Sequence, residues 1–379
     1  MKLQGLKVLD LSLFLPGPHL TMMLADHGAQ VIKIEPPSGE PVRGVGLRQG
    51  EHSVWFRNTH RGKQSVVLNL KNAADREVLL ALSDEADVFV EAFRPGVMDR
   101  LGLGADLLRL RNPRLVVCSI AAFGQSGPLS DKPAHDLAIQ AMSGAVSVNL
   151  GSDGQPCNPN MPAADMAASL MALSGILMAL YRRQSTGRGD YIDISMQDAL
   201  MAWMPNVTGP IFAEDRAPVP THERSWGGNA LYRIYACSDG RHVALGGSEH
   251  KFVEALARAL GVFELAVLAE HGPGPHQQPL VDAIATAFAS RTLAEVSALL
   301  EPLDICWAPV LNLHEAWKSE QVRARQMRIE NDGCDHIGVP IRFRDEPAEP
   351  NWHVPGLDED GSHVRAAISA GRSGWGDTE

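Results

Sequence analysis

The chain has 379 residues, 45% of them hydrophobic, enough apolar material for a large core in two domains or one elaborate one. Lys and Arg number 34 against 45 Asp and Glu, a formal charge of −11, which argues against general attraction to nucleic acid or an anionic membrane surface. A polyanionic ligand must therefore be met by a local basic patch.

Cys118, Cys157, Cys237, Cys306 and Cys334 are scattered and show neither CxxC nor Cys/His spacing, so no metal or redox cofactor is expected and a reducing cytoplasm is. The first apolar stretch is interrupted by Asp10 and ended by Pro16-Gly17-Pro18, which argues against a signal peptide. The apolar segment after Asp165 meets Arg182 and Arg183 before reaching membrane-spanning length.

In chain order, "GLKVLDLS" reads as a buried strand, "HLTMMLADHGA" as a helix and "QVIKIEPP" as a second strand, a β-α-β unit. The alternation continues through "QSVVLNL", "AADREVLLALSDEA", "DVFVEAF", "RLGLGADLLRLRN" and "RLVVCSIAAFG", implying an α/β fold on an open parallel sheet covered on both faces. A helix from about 165 to 183 precedes the strand "GRGDYIDISM" and the helix "QDALMAWM". The Pro/Gly-rich stretch 206–225 reads as a linker, and "LYRIYACSDGRHVALGG" as a hairpin turning at Ser238-Asp239-Gly240-Arg241. Helices near 249–261, 278–290 and 292–301 complete a smaller α/β domain at 226–324, and the tail 325–379 returns to the large domain 1–205.

The first turn, "LSLFLPGPHL", lacks the G-x-G-x-x-G of a dinucleotide fold, and no GxxxxGK[ST] loop occurs. Asp165 heads an apolar helix, where a carboxylate serves as an N-cap and where helix amides stabilise anions. His135 precedes Asp136, the cap of "DLAIQAMSGAV"; its imidazole offers acid/base chemistry near neutrality, against the plainer role of packing. Glu249 in "GGSEHKF" begins a helix and by itself reads as a cap or surface residue. Arg57, His60, Arg61 and Lys63 in "WFRNTHRGKQS", with Arg94 and Arg100 in "FRPGVMDRLG", form a candidate phosphate-binding set against a reading as solvated loop charge. Met161, Met166, Met201 and Met204 read mainly as core.

The stretches "LKVLDLSLFLPGPHLTMMLADHGAQVIKIEPPSGEPVR", "VEAFRPGVMDRLGLG", "NPRLVVCSIAAFGQSGP", "HDLAIQAMSG" and "GRGDYIDISMQDAL" resemble, in this order, the class III CoA-transferase family (CaiB/BaiF type), which includes alpha-methylacyl-CoA racemases. The resemblance implies a large Rossmann-like domain made from both chain ends, a small central domain, an interlocked homodimer, and coenzyme A as the thioester substrate. It implies Asp165 as the nucleophile that carries acyl and then CoA between an acyl-CoA and a carboxylic acid. In the family's racemases, the residues matched by His135 and Asp165 form an acid/base pair, with Glu249 assisting. A catalytically silent CoA-binding protein is the third reading.

Three departures qualify the match. Leu15 stands where characterised transferases often have glutamine, Pro36 replaces a frequent CoA-contacting arginine, and "DMAAS" lacks the racemases' glycine cluster.

Overall fold

The computed structural model describes residues 1–151 and 153–376. They form two compact units, the first Met1–Val146, Asn158–Trp203 and the chain from Glu320 onward, the second Ser147–Cys157 and Met204–Ser319. The stretch 206–225 lies within the second unit and carries the helix Gly209–Glu214, started by a proline at a position that needs no N–H donor.

In the first unit, strands β1 (Lys7–Asp10), β2 (Gln30–Glu35), β3 (Lys63–Val67), β4 (Val88–Glu91), β5 (Val116–Ala121) and β6 (Tyr191–Ser195) make one sheet. Its order is β3-β2-β1-β4-β5-β6 and every pairing is parallel. Alternate residues feed two cores. Val8, Val88 and Val90 join Leu20 and Leu24 of the helix Pro16–Asp26, and Ala164, Ala168, Ala172 and Ile176 of the helix Ala163–Thr186, on one face. Leu9, Phe89 and Val117 join Leu79, Leu82 and Val364 on the other. Apolar residues at successive strand positions are what a sheet covered on both sides requires.

The edge strand β3 is closed by the returning C-terminal chain, where Asp360 and Asp358 carboxylates accept the backbone N–H of Ser65 and Val67, both at 2.8 Å. That occupies the ladder positions through which an exposed edge would pair with another chain.

The helix Ala163–Thr186 has 24 residues and ends at Gly187, whose φ of 69° suits a left-handed cap. By length and composition it is apolar enough to cross a membrane, contrary to the expectation drawn from the early arrival of Arg182 and Arg183. Its small residues Ala164, Ala167, Ala168 and Ala172 pack into the core, whereas Met178 and Tyr181 are exposed.

The second unit holds an antiparallel sheet of Trp307–Pro309, His242–Gly246 and Tyr232–Ala236, packed on the helices His250–Leu260, Gln278–Ala289 and Leu293–Leu300. The hairpin turns at Asp239-Gly240, with Gly240 at φ 76°.

Candidate active site

In a sheet ordered 3-2-1-4-5-6, the connections leaving β1 and β4 run in opposite directions, and ligands bind at the carboxyl ends beside that reversal. A cavity of about 800 Å³ lies there, lined by Leu13, Phe14 and Pro16 after β1, Ala92 to Pro95 after β4, and Ile120 to Ala122 at the end of β5. Asp165 and His135 both line it. A second cavity of about 290 Å³, lined by residues following β1, β2 and β3, shares Leu13 and Phe93 with the first. Both are lined largely by apolar side chains.

Asp165 occupies the third position of its helix, and its carboxylate is not the cap. Asp136 is: its Oδ1 accepts the N–H of Ala164 at 2.8 Å and of Asp165 at 3.2 Å, while its Oδ2 accepts Gln140 Nε2 at 2.6 Å. Ala163 and Met166 donate to the carbonyls of Met161 and Pro162. All four first-turn amides are therefore taken, and the expected stabilisation of the Asp165 anion by its own helix end does not arise. Among the described residues no hydrogen bond reaches the Asp165 carboxylate. Burial, reinforced by the negative charge of Asp136, pushes this carboxyl up to about 7. A half-buried carboxylate of that basicity is a better nucleophile and proton acceptor than an exposed aspartate.

One turn along the same helix face, the buried Ser169 lies with its Oγ 2.9 Å from His19 Nδ1, tying the helix to Pro16–Asp26. Burial, with Lys63 and Arg61 nearby, pushes His19 down to about 4, so it is a neutral partner at physiological pH. Neither His19 nor the cross-helix cap by Asp136 is marked by local spacing in the sequence.

His135 is exposed, precedes the helix Asp136–Met142, and meets the Phe14 ring edge-on with centroids 5.6 Å apart. Glu249 belongs to the second unit, where it is exposed and stands just before the helix His250–Leu260. Of the four methionines singled out none lines the larger cavity among the described residues; Met196 does.

The basic set divides. Arg94 and Arg100 are exposed and, among the described residues, carry no ion pair; Arg94 lines the larger cavity. Arg61 and Lys63 are withdrawn from any phosphate by burial, because a buried cation needs a counter-charge at hand. Arg61 Nε and Nη2 donate to the two carboxylate oxygens of Asp26 at 2.9 and 2.7 Å, and its guanidinium lies over Trp352. Lys63 Nζ donates to Asp10 Oδ2 at 2.9 Å and to Thr21 Oγ1 at 2.8 Å. Arg57 and His60 are buried as well.

The model of CoA-transferase family III matches residues 3–361. The chain belongs to CoA-transferase family III. Members similar to it include the acetyl-CoA:oxalate CoA-transferase of Acetobacter aceti, 36% identical over 97% of this chain and 95% of that protein. The succinyl-CoA:mesaconate CoA-transferase of Haloarcula marismortui is 31% identical over 94% of each. The human alpha-methylacyl-CoA racemase is 33% identical over 93% of this chain and 89% of that protein. Among solved structures, a CaiB/BaiF family protein from Brucella suis superposes with a TM-score of 0.82 at 29% identity, covering 96% of this chain and 98% of that one. This family III member is thus an enzyme whose relatives include both CoA-transferases and a racemase.

Proposed function

We propose that this enzyme transfers CoA from an acyl-CoA thioester to a carboxylic acid through covalent intermediates on Asp165. The observation that carries the reading is a carboxylate with no hydrogen-bond partner among the described residues and a raised pKa, lining a cavity at the switch point of the sheet. Its oxygen attacks the thioester carbonyl, giving an acyl-aspartyl anhydride and CoA thiolate. The thiolate attacks the aspartyl carbonyl, releasing the donor acid and leaving an aspartyl-CoA thioester. An acceptor carboxylate reverses the sequence, and Asp165 is regenerated as the free carboxylate. Arg94 and Arg100 meet the phosphates, and the smaller cavity, with Lys71 on its wall, takes the nucleotide end. The test is CoA exchange between a panel of acyl-CoA donors and carboxylic acids, read by mass spectrometry, with Asp165→Ala as the control.

A second reading is favoured by one observation, that His135 and Asp165 line the same cavity. As an acid/base pair flanking the carbon beside the thioester carbonyl, they would invert it by moving its proton. That reading is supported if solvent deuterium enters this carbon with no acceptor present. The exposed apolar side chains Met178, Tyr181, Phe212 and Ile234 support a homodimer, interlocked as the family resemblance implies.

A further inference from the structure

The loop after β1 is held by buried charge in a way that the transfer chemistry does not use. Phe14 has φ 63°, the left-handed region. Of the five non-glycine residues there among the described residues, Asp215, Asp332 and Asp358 have short polar side chains that can bond locally; Phe14 has none. Its backbone N–H donates to Glu40 Oε1 at 2.9 Å. Glu40 is only 1% exposed, and its other oxygen lies 3.3 Å from Lys33 Nζ.

Lys33 also donates to the Ser12 carbonyl, and Asp10 Oδ1 accepts the Ser12 N–H at 2.9 Å. Gly17 packs so closely on this segment that a Cβ there would clash with the Ser12 side chain. Glu40 is itself fixed, its N–H donating at 2.8 Å to Glu35 Oε2, and Glu35 being gripped by Arg43 at 2.7 and 2.6 Å. Ser12 and Phe14, the two ends of a tripeptide, are thus each fastened to one buried ionic cluster. The free end of that tripeptide is the Phe14 ring, which lines the cavity and meets His135.

We infer that Glu40 is a positioning residue: it holds Phe14 in the left-handed conformation that places its ring against His135 and in the wall of the Asp165 cavity. The catalytic half of this inference rests on the proposed acyl-CoA chemistry. One buried carboxylate thus both pairs with Lys33 and receives the Phe14 amide, which ties the loop to the ionic cluster, and a fixed loop geometry is what the arrangement secures.

Two conservative substitutions separate this role from plain charge balance. Glu40→Gln keeps an acceptor within reach of Phe14 but removes the charge beside Lys33. Glu40→Asp keeps the charge but withdraws the acceptor by one methylene. The readouts, on the full chain, are the ring-current-shifted His135 Cε1–H resonance, assigned with His135→Gln, and kcat and KM for CoA exchange. The expected result is that Glu40→Asp loses the shift and about 10- to 100-fold in kcat, while Glu40→Gln keeps the shift and loses less. In a Phe14→Gly background, where no side chain needs holding, the Glu40→Asp loss should shrink to about threefold or less.

The reverse order, with Glu40→Gln worse than Glu40→Asp in both readouts, would overturn the inference. So would a Glu40→Asp loss that stays undiminished in the Phe14→Gly background. The resonance reports on Glu40 even if wild-type protein exchanges no CoA; in that event the shift pattern stands or falls alone and the functional reading fails separately.

Discussion

Asp136 caps the helix that carries Asp165, and its charge is the second cause, after burial, of the raised Asp165 pKa. Two carboxylates on neighbouring helices thus divide the work: one takes the helix amides, and the other, left without donors, is made basic by burial and by the first one's charge. Asparagine at 136 would keep the accepting oxygen and remove the charge. Asp136→Asn should shift the acidic limb of the exchange rate, set by Asp165 near pH 7, to lower pH. The move should be less than about one unit, since burial is the larger cause. A pH–rate profile of kcat/KM reads it directly.

The same raised pKa makes Asp165 a burden on the fold. Its folded value of about 7 exceeds the ordinary value of 3.8, so the folded chain retains a proton that the unfolded chain releases between those pH values. Stability is therefore intact below about pH 4, falls as pH rises, and carries the full penalty above about 7. Asp165→Asn should raise stability by about 1–3 kcal/mol at about pH 8 and leave it unchanged at about pH 3.5, as denaturant melts at the two pH values would show.

Exposed and buried arginines should fail differently. Arg94→Ala should raise KM for acyl-CoA about tenfold, with added salt sensitivity and no change in thermal midpoint. Arg61→Ala strands the Asp26 carboxylate in the interior and should cost about 3–5 kcal/mol of stability. Paired melts and steady-state kinetics on the two variants distinguish the roles.

His135 separates transfer from racemisation. With transfer as the chemistry, His135→Ala leaves acceptor-dependent exchange measurable, because the nucleophile is intact, and wild-type enzyme incorporates no solvent deuterium into the acyl chain. Proton exchange beside the thioester, abolished in His135→Ala, would assign the racemase role instead.

The parallel sheet was legible because strands buried on both faces read as continuous apolar runs separated by helix-length segments, as in "VVCSIA" of β5. Asp165 and His135 stood out through the family resemblance, and the cavity brings them together. What the sequence withheld depends on distant contacts. Local capping rules assigned Asp136 to its own helix, whereas its oxygen serves amides 28 and 29 residues later. Arg61 and Lys63 read as candidate phosphate ligands because their counter-ions, Asp26 and Asp10, lie 35 and 53 residues away. The left-handed Phe14 is equally silent in sequence, since nothing in "LSLFLPGP" signals a positive φ at an aromatic residue.

Covalent capture tests the central claim most directly. Incubating the enzyme with an acyl-CoA, quenching with hydroxylamine and mapping peptides by mass spectrometry should yield a hydroxamate on Asp165, dependent on acyl-CoA. Quantitative coverage of the Asp165 peptide from an enzyme that is exchanging CoA, with no modification there, would contradict the account.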